Sequence, residues 1–139
     1  MSGRTVAHVE ETGESAYAVR IAVSGHVLIG DEPEAAGGSD LGPAPYDLLL
    51  AALGECTAMT VRLYANQQGW PLEAVEVGLT HRKGGIAGKP DWTDHFTKTV
   101  HLHGPALSDD QRAKLISVAA RCPVHRTLTG DPVIETMGA

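Results

Sequence analysis

Residues 43–69 read P-A-P-Y-D-L-L-L-A-A-L-G-E-C-T-A-M-T-V-R-L-Y-A-N-Q-Q-G, and this stretch decides the fold. It reads as one long helix. Pro43 and Pro45 stand at its entry, where no intrahelical donor is yet needed. Asp47 places negative charge at the positive end of the helix dipole. Gly69 ends the helix as the residue after its cap, and Pro71 prevents its return. Between Leu48 and Ala65 the pattern is apolar nearly all round, so the helix belongs in the middle of a fold. Glu55 and Cys56 interrupt it, a carboxylate beside a thiol in a segment expected to be buried.

Outward from the helix, the chain alternates polar and apolar positions in short runs. Thr5–Glu10 and Ala16–Val23 read as a hairpin around the turn Thr12–Ser15, followed by a short strand His26–Ile29. Gly30–Leu41, with Asp31, Glu32, Pro33, Gly37, Gly38 and Asp40, reads as a long mobile loop. Beyond the helix, Leu72–His81 and Phe96–Leu102, the latter within the alternating run Asp94–His103, form a second hairpin around the Gly/Pro/Lys-rich Arg82–Asp91. Ser108-Asp109-Asp110-Gln111 carries a capping-box pattern. The helix it opens runs to about Arg121, with Leu115, Ile116, Val118 and Ala119 as its apolar face. Val124–Leu128 adds a further helical turn, and Pro132–Met137 reads as a last strand. The order βββ-α-ββ-α-β indicates an α+β fold with a mainly antiparallel sheet around the long central helix. One sheet and one amphipathic helix cannot cover that helix on all sides, so a second copy of the chain is expected against it.

The 139 residues suit one domain, 1–139, with 42% hydrophobic and 20% charged residues. A net charge of -6 and the lack of any Lys/Arg run argue against nucleic acid as a partner. Glu55 and Arg62 break the best candidate for a membrane span, and the N-terminus has no apolar leader segment. A cytoplasmic location follows, where two cysteines are free thiols, metal ligands or a redox pair rather than a permanent disulfide.

Four groups carry candidate chemistry. Cys56 is either a buried structural thiol or a reactive one. Cys122-Pro123-Val124-His125-Arg126 puts an imidazole and a guanidinium close after a thiol, which lowers a thiol pKa or complements a helix end. His101 and His103 share a strand face and, with His81 or His95, offer a weak metal-site pattern that lacks the Cys/His spacing of structural zinc. Arg20, Arg62, Arg121 and Arg126 are the candidate guanidiniums for the thiol, with Glu55 as an orienting carboxylate.

G-P-A-P-Y-D-L-L-L-A-A-L-G-E-C-T-A-M-T, followed later by R-C-P-V-H-R-T-L, resembles the OsmC/Ohr family, the osmotically inducible protein C and organic hydroperoxide resistance proteins. The resemblance covers nearly the whole chain. It implies an intertwined homodimer with two active sites near the dimer interface, and thiol-dependent reduction of organic hydroperoxides in oxidative-stress defence. It implies that Cys56 is the peroxidatic cysteine and Cys122 the resolving one. The sulfenic acid formed on Cys56 would condense with Cys122 to a disulfide, reset by an external dithiol such as a lipoylated protein. No cofactor and no metal are expected.

The chain also departs from the family pattern. Family peroxidases carry a glutamate early in the central helix, paired with an arginine of the N-terminal hairpin. Aligned on Cys56, this chain has Tyr46 there, with Asp47 one residue out of phase. Its hairpin turn E-E-T-G-E-S has no arginine; Arg4 precedes it and Arg20 follows. Glu55 and His125 are similar to a less-studied branch. The alternative on the same fold is a non-enzymatic redox sensor or apolar-ligand binder.

Overall fold

The computed structural model describes residues 3–139; Met1 and Ser2, the start of the stretch read as lacking a leader, lie outside them. The elements in order are β1 (Ala7–Glu11), β2 (Val19–Val23), β3 (His26–Gly30), a 3-10 turn (Glu34–Ala36), α1 (Pro45–Gln68), β4 (Ala74–Lys83), β5 (Asp94–His103), α2 (Asp109–Ala119) and α3 (Pro123–Thr129). The fold is α+β, and the strands form two antiparallel sheets, β1-β2-β3 and β4-β5. The chain divides into two compact units, one ending at Leu49 and one spanning Leu50–Ala139.

In the first unit β2 pairs with both neighbours, with Ile21 opposite Val9 and Leu28. The loop after β3, expected to be mobile, is instead organised around Asp31, which is 4% exposed. Its carboxylate accepts the N–H groups of Glu32, Ser39 and Leu41 and the hydroxyl of Ser15. Ser15 stands 16 residues away, so this anchor could not be read locally. Burial pushes the Asp31 carboxyl up, but Ser15, Leu41, Ser39 and Glu32 outweigh it and hold it below the ordinary 3.8. A carboxyl depressed on folding stabilises the fold above its unfolded value and loses that contribution as the pH falls through its folded value. Asp31→Asn is therefore expected to weaken the protein at neutral pH and to flatten the fall of stability below about pH 4 in denaturant titrations. Acid limbs that run parallel in variant and wild type would remove this role.

α1 begins as its sequence dictates. Pro45 is the first helical residue, and the Asp47 carboxylate accepts the Ala44 N–H at 2.9 Å, half of a capping box. It ends in a Schellman turn: Gly69 has φ +67°, its N–H reaches the Asn66 carbonyl, and the Trp70 N–H reaches the Ala65 carbonyl. Trp70 then packs edge-on against Tyr64, 5.6 Å between ring centroids.

The all-round burial expected of α1 is not observed within one chain. Its buried residues are Leu53, Gly54, Thr57, Val61 and Ala65, a single stripe. Met59 is 63% and Leu63 58% exposed, and Glu55 is exposed too. A two-stranded sheet and α2 can cover only one side of a cylinder. By length and composition α1 also qualifies as a membrane-crossing helix, mean hydropathy 1.3, so Glu55 and Arg62 do not disqualify it as expected. Its buried stripe packs against protein. At Gly54 the helix approaches β4 so closely that an added Cβ would lie 2.7 Å from Leu79 Cδ1.

The second unit's core is Val61 and Ala65 of α1, Leu72, Leu107, and Leu115 and Ala119 of α2, with Val75, Val100 and Leu102 of the sheet against it. Ser108 closes the expected capping box with Gln111. α2 stops at Ala119, and Ile116, expected on its buried face, is 45% exposed. The last strand expected at Pro132–Met137 is absent: residues 131–139 have no regular structure, and Val133, Ile134 and Met137 are more than 80% exposed. Alternating side chains do not make a strand without an edge to pair with.

Candidate active site: two cysteines at a helix entry

α3 is a short helix with Cys122 as its N-cap. Pro123 follows as the first helical residue and has no N–H to satisfy. The next two residues therefore carry the first unsatisfied donors. Each goes to a sulfur: the Val124 N–H donates to Cys56 Sγ and the His125 N–H to Cys122 Sγ, both at 3.4 Å. Residues 66 apart in sequence are thus brought together at one helix entry. Both are free thiols; Cys56 is partly exposed and Cys122 wholly buried.

Thr57 links this pair to a cation. Its hydroxyl lies 2.7 Å from the Leu53 carbonyl and 3.5 Å from Cys122 Sγ. The Lys98 ammonium donates to Thr57 Oγ1 at 3.1 Å and to the Ala119 carbonyl at 2.7 Å. Sequence reasoning missed both Thr57 and Lys98. A signal existed for Lys98. β5 turns Phe96, Lys98, Val100 and Leu102 inward in strict alternation, so a lysine occupies the apolar phase of a strand.

The two thiols titrate as a pair. Burial pushes Cys56 up, the Val124 N–H opposes this, and the neighbouring Cys122 adds to it; the net direction is up. Burial pushes Cys122 up as well, but the Thr57 hydroxyl, the His125 N–H, Cys56 and the Lys98 charge outweigh it and bring it down. His125 is held below the ordinary imidazole range by burial and by Lys98, so its ring is mainly neutral at pH 7.

The other expected site residues fall elsewhere. Glu55 is exposed on α1, next in sequence to Cys56. Asp47 and Arg20 belong to the first unit; Asp47 caps α1, and Arg20 stands exposed on β2 opposite Glu10. Arg62 bonds the carbonyls of Leu72 and Glu73, and Arg121 bonds Ser117. Among the described residues no guanidinium bonds either sulfur, Arg126 included. No three His, Cys, Asp or Glu side chains among them converge as metal ligands. His81 meets Asp94 and His103 meets Glu76. The first unit also holds an open cleft of about 340 Å³, lined by Val9, Tyr17, Val19, Ile21, Pro43 and Leu48 among others.

A family model described as OsmC-like protein matches residues 37–137. No curated protein matches the chain. Among solved structures, the fold is similar to an OsmC-like protein from Mycoplasma pneumoniae, with TM-score 0.75, 20% identity, and 94% of this chain and 90% of that one covered. It is similar to an organic hydroperoxide resistance protein OsmC from Legionella pneumophila, with TM-score 0.66, 20% identity, and 94% and 92% covered. It is similar also to the organic hydroperoxide resistance protein OhrB of Bacillus subtilis, with TM-score 0.62, 17% identity, and 94% of both chains covered.

Proposed function

The chain belongs to the OsmC-like protein family, and from that premise we propose that it is a thiol-dependent peroxidase that reduces organic hydroperoxides in the cytoplasm. The observation that carries this reading is the gathering of Cys56 and Cys122 on adjacent donors of one helix entry. Cys56 is the peroxidatic thiol because peroxide can reach it, whereas Cys122 is fully covered. Burial holds the Cys56 thiol up, so its proton passes to the neighbouring Cys122 sulfur as it reacts. The Cys56 thiolate attacks the distal peroxide oxygen, the O–O bond breaks, and the leaving alkoxide takes up that proton as alcohol and leaves Cys122 a thiolate. Cys56 is now a sulfenic acid. The Cys122 thiolate attacks its sulfur, the S–S bond forms, and hydroxide leaves and is protonated to water. An external dithiol then reduces the disulfide by exchange. Two of the similar structures carry the name organic hydroperoxide resistance protein, which supports the substrate class. The exposed Met59 and Leu63 of α1 support a homodimer that covers them.

A second reading, a redox sensor or apolar-ligand binder, is favoured by two observations. Asp47 is committed to capping α1, and the first unit carries the apolar cleft. The intact mass of the reduced protein, before and after one equivalent of an organic hydroperoxide, separates the readings. Rapid loss of two hydrogens, restored by a dithiol and faster than with hydrogen peroxide, is expected of the peroxidase. Slow over-oxidation of Cys56 with no disulfide would replace it with the second reading.

A further inference from the structure

We infer that Lys98 is the positioning residue of the cysteine pair: its ammonium, fixed between Thr57 and the Ala119 carbonyl, supplies through Thr57 the positive charge that favours the thiolate. The N-terminal hairpin turn has no arginine for that task, and the guanidiniums whose contacts are described above are engaged elsewhere.

Lys98 sits in the inward phase of β5, where a charged side chain needs a reason. Its bonded partners are a hydroxyl and a carbonyl, both neutral. Among the described residues no carboxylate forms an ion pair with it. A half-buried ammonium with neutral partners is stabilised by any negative charge that develops nearby, and the thiols are what α1 and α3 present. From α1 come Cys56 and Thr57, and from α3 come Cys122 and a neutral His125. α2 offers only the Ala119 carbonyl, and Leu79 of β4 pairs across from Lys98.

Thr57 gives the link its direction. A hydroxyl has one proton and two lone pairs. With Lys98 donating to its oxygen, the Thr57 proton goes to the Leu53 carbonyl or to Cys122 Sγ. When Cys122 loses its proton to solvent, the Thr57 O–H swings to the thiolate and Lys98 polarises that bond from behind.

The inference rests on the peroxidase reading only for the use made of the thiolate, so its test needs no peroxide. The reduced full chain is titrated by thiolate absorbance, which reads a buried thiolate as well as an exposed one. Lys98→Gln keeps a side chain that bonds Thr57 and Ala119 but removes the charge. It is expected to move the first thiol ionisation upward by about one pKa unit, a roughly tenfold loss of thiolate below that ionisation. Lys98→Arg, which keeps the charge, is expected to follow the wild-type titration. A Lys98→Gln curve that overlays the wild type overturns the inference, and so does a Lys98→Arg curve that follows Lys98→Gln. Should Lys98→Gln fail to fold, the near-isosteric Thr57→Val carries the test: it breaks the link, is expected to raise the same ionisation, and overturns the inference if it does not. A wild-type protein that turns over no peroxide removes the peroxidase reading alone.

Discussion

Cys56→Ser is expected to abolish hydroperoxide turnover, whereas Cys122→Ser is expected to yield a protein that reacts once and stops. The two sulfurs sit at the same helix entry, so the difference comes from access and from the order of bond-making. Cys56 is partly exposed and is the only one of the two that a peroxide reaches without rearrangement. A serine hydroxyl there has neither the acidity nor the polarisability to displace an alkoxide, so the expected loss is at least about a thousandfold. With Cys122 replaced, the Cys56 sulfenic acid has no partner. It persists, advances to sulfinic acid or captures an external thiol, and each product has its own mass. The variant is informative because serine is itself a good N-cap. The Cys122→Ser hydroxyl is expected to accept the His125 N–H in place of the sulfur, so that α3 keeps its start and the loss is of chemistry rather than fold. The measurement is peroxide consumption with excess dithiol for Cys56→Ser, and intact masses after one equivalent of peroxide without dithiol for Cys122→Ser. Full turnover by Cys56→Ser would reverse the assignment of the two cysteines or remove it.

What could be read from the sequence was local. Pro45, Asp47 and Gly69 mark the ends of α1 through donors and dihedral angles that depend on a few neighbours, and the structure places them as expected. The Ser108–Gln111 box is local for the same reason. The features missed depend on distant partners. Asp31 looked like one more acidic loop residue, because Ser15, which helps to bury it, lies in another turn. Val133, Ile134 and Met137 have strand-like side chains, but a strand needs a pairing partner, and these residues pair with neither sheet. At the site, Cys56 and Cys122 stood out one by one, and their pairing came from a resemblance, not from spacing. Thr57 looked like a polar residue on a long helix, and Lys98 like an ordinary strand lysine. Its phase with Phe96, Val100 and Leu102 was the readable signal. What it bonds depends on α1 and α2 converging on β5, which no local pattern states.

Leu115→Ala is the substitution expected to cost the fold most. Leu115 is fully buried, and its cluster joins α1 through Val61 and Ala65 to α2 and the loop residues Leu72 and Leu107. Truncation removes the transfer free energy of the lost carbons and leaves a cavity that helices anchored at both sides close only in part. The expected loss is about 3 kcal/mol, a large share of the ~5–15 kcal/mol typical of a whole domain. For a chain of this size that corresponds to a fall in Tm of roughly 10 °C. Ile116→Ala, on the same helix but 45% exposed, is the control and should cost under about 1 kcal/mol. The contrast bears on the site as well as on the core. α2 ends at Ala119, whose carbonyl holds Lys98, so the cluster that seats Leu115 also fixes one of the two acceptors of the ammonium. Urea and thermal unfolding of both variants check the prediction. A Leu115→Ala midpoint equal to that of Ile116→Ala would mean that α2 is not held by this cluster, and that the Ala119 carbonyl has some other support.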